Sequence, residues 1–74
     1  MYKSQINAFR RIEAGYRQEK GYSIKYMAKQ LGVDVKTYGK YKKNPGVAPY
    51  SFILSVLSIL CVPDEERSKC VISR

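Results

Sequence analysis

The stretch SIKYMAKQLGVDVKTYGKYKKN, Ser23 to Asn44, reads as two short helices joined by a tight turn. Ser23 is a good N-cap, and Ile24, Met27, Ala28 and Leu31 recur at the spacing of one buried helix face. Gly32 then ends the first of the two. After the last helical turn the chain must pass through a left-handed conformation, which a residue without Cβ enters at little cost. Val33 can tuck inward behind it. Asp34 can cap a second helix whose inward residues are Tyr38 and Tyr41. The opposite face of that helix carries Val35, Lys36, Gly39, Lys40 and Lys43.

Outward from this pair, residues 4 to 20 read as a helix that precedes it, with Ser4 as a cap and Phe9, Ile12 and Tyr16 on one face. Gly15 weakens it by about 1 kcal/mol relative to alanine. Arg10, Arg11, Arg17 and Lys20 are expected outward or at its periphery. Gly21 closes this helix, and Tyr22 is expected to enter the core. After the pair, Asn44, Pro45 and Gly46 make a loop, and Pro49 suits the first turn of a fourth helix running from Tyr50 to Cys61. Phe52, Ile53, Leu54, Val56, Leu57, Ile59 and Leu60 surround that helix almost completely, leaving a narrow stripe of Ser51, Ser55 and Ser58. Part of so apolar a helix belongs in a core. A small domain has few places for the remainder, so Phe52, Ile53, Val56, Leu57 and Leu60 are expected to form a dimer or partner surface. Pro63 restarts the chain, and Asp64, Glu65 and Glu66 fit the first turn of a fifth helix, where its dipole favours carboxylates. Cys70, Val71 and Ile72 can pack back onto the fourth.

The whole is one all-α domain of 74 residues and five helices. A chain this short hides only about 60% of its unfolded surface, so subunit pairing would help it. Its net charge of +8 is unevenly placed. Residues 1–50 hold the entire excess, opposed only by Glu13, Glu19 and Asp34, while residues 51–74 balance. That asymmetry suits a polyanion on one side of the molecule. Histidine is absent, which removes the commonest general base and metal ligand, and Cys61 and Cys70 cannot complete a four-ligand zinc site. Both cysteines read as small buried hydrophobes in a reducing cytoplasm, with a disulfide as the lesser alternative. No catalytic set, metal site or cofactor motif can be assembled, so the chain is not expected to be an enzyme. The N-terminus lacks the apolar run of a signal peptide, and the stretch from Phe52 to Val62 is too short to span a bilayer. A cytoplasmic, nucleoid-associated protein of a bacterium or phage-infected host is expected, with no membrane partner.

A positively charged helix held proud by a short partner is the build of a helix-turn-helix DNA reader. The stretch resembles the helix-turn-helix of the phage-repressor family, the lambda-repressor/Cro-like (XRE-type) domains. The resemblance is carried by Gly21, Tyr22 and Ser23 leading in, Ala28 where the helices touch, Leu31, Gly32 and Val33 at the turn, and Asn44 and Pro45 after the reading helix. It covers about residues 9 to 65. It implies a lambda-repressor-like fold with Val35, Lys36, Gly39 and Lys40 offered to base edges. It also implies Ser23, Lys25, Lys29, Thr37, Lys43 and Asn44 against the phosphate backbone. Lys36 and Lys40 would donate to guanine, and Val35 would touch a thymine methyl. The chain departs from the family in two ways. Val35 and Gly39 cannot hydrogen-bond to bases through side chains, and the family's pairing of a first-helix arginine with a third-helix glutamate is missing, because Lys42 stands opposite Arg17. The function implied is a sequence-specific regulator, a repressor of phage, prophage or mobile-element type, bound as a homodimer to an inverted repeat of double-stranded DNA without a small-molecule effector. The alternative is a protein-binding adaptor or antirepressor that grips its partner with the fourth helix.

Overall fold

The computed structural model describes residues 3–70, and every regular element among them is helical. The order is α1 (Lys3–Lys20), α2 (Ile24–Leu31), α3 (Val35–Lys43), a single 3-10 turn (Pro45–Val47), α4 (Tyr50–Ile59) and α5 (Asp64–Arg67). Val71 and Ile72, expected to pack on the fourth helix, lie outside the described residues. Ser4 is no N-cap, since α1 already includes Lys3.

Three helices end in the same way, and the backbone chemistry is explicit at each. At α2, Gly32 (φ 70°) donates its amide to Lys29 O, and Val33 donates to Ala28 O at 3.0 Å. At α1, Gly21 (φ 73°) donates to Gln18 O and Tyr22 to Arg17 O. At α4, Cys61 donates to Ser58 O and Val62 to Leu57 O, with Cys61 itself at φ 55°. Each cap satisfies two orphan carbonyls and turns the chain back, so the apolar residue after it (Tyr22, Val33 or Val62) packs on the core. This cap explains why α4 stops at Ile59, short of the expected Cys61. With Pro63 two residues on, the chain cannot continue as helix.

The core draws on every long element. Phe9 and Ile12 of α1, Met27 and Ala28 of α2, Tyr38 of α3, and Ile53, Val56, Leu57 and Leu60 of α4 are buried, with Val62 and Cys70 closing the end. Phe52 lies under α3, its ring 5.6 Å from that of Tyr38 and 4.9 Å from that of Tyr41. The radius of gyration is 11.2 Å, and a fully collapsed chain of this length reaches about 11 Å. The core therefore closes within one chain.

That closure corrects the expected dimer or partner surface. Phe52, Ile53, Val56, Leu57 and Leu60 are at most 7% exposed. They occupy one continuous arc of α4 that faces the other helices, while the serine stripe and Tyr50 face out. The apolar side chains fit inside because α4 packs on α2 and shares one core with the apolar faces of the other helices. Cys61 is likewise exposed where burial was expected, because the left-handed cap points it outward. Cys70 is buried as expected, and both thiols are free. No helix among the described residues is long and apolar enough to cross a membrane.

Candidate nucleic-acid interface

The α2 and α3 helices pack against each other across the turn at Gly32. Ser23 caps α2 as its sequence position suggests: Oγ accepts from Tyr26 N at 3.0 Å. Because the hydroxyl accepts there, its own hydrogen stays available to a phosphate oxygen. Asp34 stands at the N-cap of α3, where its backbone carbonyl accepts from Tyr38 N, but its carboxylate makes no capping bond. It contributes only charge at a helix start.

Anchored by Tyr38 at 0% exposure and by half-buried Tyr41, α3 turns its other side out. Val35 is 49% exposed, and Lys36, Lys40 and Lys43 are exposed beside it. Gly39 is half-buried, yet a Cβ built on it meets no atom within 4 Å. Nothing in this chain requires glycine there. Lys25 and Lys29 of α2 and Asn44 are exposed; Thr37 instead is half-buried and lines a shallow cleft with Leu31, Val33, Tyr41 and Ser51. Among the described residues no lysine of α2 or α3 pairs with a carboxylate; the ion pairs are Arg17 with Glu13 and Lys69 with Glu66. The exposed sides of α2 and α3 thus carry lysines and no acid, with Asp34 in the turn between them. None of the described residues groups into a set of three or more metal-ligating side chains.

Glu13 was legible in the sequence only as one of three acids against the basic excess, yet it is wholly buried. Its Oε2 accepts from Tyr38 Oη at 2.7 Å and from Arg17 Nε at 2.9 Å. Arg17, expected at the periphery, is drawn in by that pair, its side chain only 15% exposed, and its Nη1 donates to Tyr22 O at 3.3 Å. A link between the first and third helices therefore exists, made by a tyrosine hydroxyl where the sequence pattern offered only Lys42. Spacing carried the missed signal: Phe9, Ile12, Glu13 and Tyr16 fall at i, i+3, i+4 and i+7 of one face. Burial foremost, then the hydrogen bond to Glu13 and its negative charge, push the Tyr38 hydroxyl far above the ordinary phenol range. At neutral pH it is protonated and donates to Glu13.

Against known protein families, curated proteins and solved structures, the chain shows no match. The reading of this surface therefore rests on its own geometry and charge.

Proposed function

We propose that the chain is a sequence-specific DNA-binding transcriptional regulator of lambda-repressor-like build, a repressor of phage, prophage or mobile-element type. One observation carries the reading. The α3 helix is pinned inward by two aromatic residues and presents Val35, Lys36, Lys40 and Lys43 outward, with four lysines and no acid along its length. An α-helix fits the major groove, where lysine donates to guanine O6 or N7 and an aliphatic side chain covers a thymine methyl. Lys25, Lys29, Ser23 and Asn44 supply backbone contacts from the flanks, and such contacts position a reader without specifying sequence.

The protein acts as a homodimer on an inverted repeat. No charged residue occurs from Asn44 to Pro63, and Val47 and Tyr50 of that stretch are more than half exposed. Two copies that each carry +8 approach there at the least electrostatic cost. Their reading helices would then lie about 34 Å apart. The adaptor reading loses support, because the α4 side chains it needed for grip are interior.

Selection of bound duplexes from a random pool, followed by titration against salt, tests the proposal. With about four or five phosphates neutralised per subunit, log K should fall against log salt with a slope of about −7 to −9. Lys36→Ala with Lys40→Ala should lower affinity for the selected duplex and relax its sequence preference. A folded double variant that binds and discriminates like the wild type would overturn the reading.

A further inference from the structure

A single carboxylate oxygen, Glu13 Oε2, joins three separate parts of the chain. It receives Tyr38 Oη from α3 and Arg17 Nε from α1, and Arg17 carries the link to Tyr22 O in the turn before α2. Glu13 Oε1 is buried with no hydrogen-bond partner. A half-satisfied buried carboxylate is costly, and an apolar side chain of similar volume would fill such a site as well or better. Cohesion alone does not account for the arrangement.

The other anchors of α3 are directionally soft. Ring contacts of Tyr38 and Tyr41 with Phe52 hold the helix close through contact spread over a face, whereas a hydrogen bond of 2.7 Å to one oxygen also sets a direction. With side chains reaching about 5–6 Å from the helix axis, a roll of about 10° carries their tips about 1 Å. That displacement makes or breaks a hydrogen bond to a base edge.

We infer that the Tyr38–Glu13–Arg17 linkage sets the roll of α3, and thereby decides which of Val35, Lys36 and Lys40 meet base edges together; the inference rests on the DNA reading above. Tyr38 is a positioning residue that touches no DNA. Its hydroxyl is neutral, and the carboxylate it bonds and the guanidinium behind it both belong to α1, so α3 keeps the outward charges of Lys36, Lys40 and Lys43 for the duplex.

Three variants test this. Tyr38→Phe removes the donor and keeps the ring. Glu13→Leu combined with Tyr38→Phe exchanges the polar pair for apolar groups, and Glu13→Gln keeps an acceptor oxygen. Each is assayed by thermal unfolding, by amide hydrogen exchange along α3, and by the affinity ratio between the selected duplex and a scrambled one. The combined variant is expected to melt no lower than Tyr38→Phe. In both, α3 amides should exchange about tenfold faster than in the wild type, and discrimination should fall about tenfold. Affinity for scrambled duplex, set by the lysines, should stay unchanged, and Glu13→Gln should behave like the wild type. Exchange along α3 within about twofold of the wild type overturns the inference, as does full discrimination despite faster exchange. Unfolding of both Tyr38→Phe and the combined variant also overturns it, because the linkage is then a requirement of the fold. If the wild type prefers no duplex, the DNA reading fails, and the exchange data alone judge the linkage.

Discussion

Gly39 and Gly15 are chemically alike and functionally distinguishable. Both lie inside helices, and at both an added Cβ meets nothing within 4 Å. Alanine at either position should therefore raise stability by about 0.5–1 kcal/mol through reduced chain entropy, as thermal or urea unfolding will register. Only Gly39 lies in the proposed reading helix. Gly39→Ala is expected to weaken binding to the selected duplex while Gly15→Ala does not; equal binding by both would place the middle of α3 away from the DNA. Cys61 is the converse case, an L-residue at φ 55° in a cap where α1 and α2 use glycine. Its thiol makes only a 4.0 Å contact with Ile59 O. Cys61→Gly should stabilise the protein by about 0.5–1 kcal/mol, seen as a rise in melting temperature. The glycines of the turns were legible because positive φ has a residue signature. Cys61 was not, because its backbone is imposed by the cap hydrogen bonds and by the inward pull on Val62.

Among the helices, periodicity located the first three, Pro49 and an apolar run the fourth, and Pro63 with three acids the fifth, while their ends were decided by capping. Ser23 and Gly32 bound α2 as expected, since both act through bonds to atoms within a few residues. The fourth helix kept its position but not its expected exposure. Seven large apolar residues announce burial without saying which chain supplies the cover. The α1–α3 link leads to a pH dependence. The unfolded chain ionises Tyr38 near about pH 10, whereas the folded chain, with the hydroxyl held well above that, keeps its proton. The stability this confers is complete below pH 10 and is lost as pH rises, at about 1.4 kcal/mol per pH unit. Tyr38→Phe lacks this proton, so the stability gap between it and the wild type should narrow in urea titrations above pH 10. A gap that stays constant up to pH 11 would mean that the hydroxyl is not held by burial and Glu13.

For the molecule as a whole, a thin core makes single charges decisive. Total stability for 74 residues is about 4–11 kcal/mol, and an unpaired charge in the core costs a large share of that. Leu57, wholly buried within the core cluster, should not tolerate lysine: Leu57→Lys is expected to abolish the far-ultraviolet helical signal at room temperature. Tyr50, 59% exposed, should accept Tyr50→Glu with its fold intact. If the uncharged stretch joins two copies, that variant should sediment as a monomer where the wild type sediments as a dimer. A folded Leu57→Lys would mean that α4 is less enclosed than its burial indicates.

Helix positions, the left-handed turns at Gly21 and Gly32 and the one-sided basic charge follow from the amino-acid order alone, because each depends on neighbours within a few residues or on simple addition. The fate of the α4 surface, the outward turn of Cys61 and the burial of Glu13 between Arg17 and Tyr38 do not. Each is settled by which distant side chain arrives to cover or pair with it, and Tyr38 reaches Glu13 across twenty-five positions of sequence only once the helices have packed.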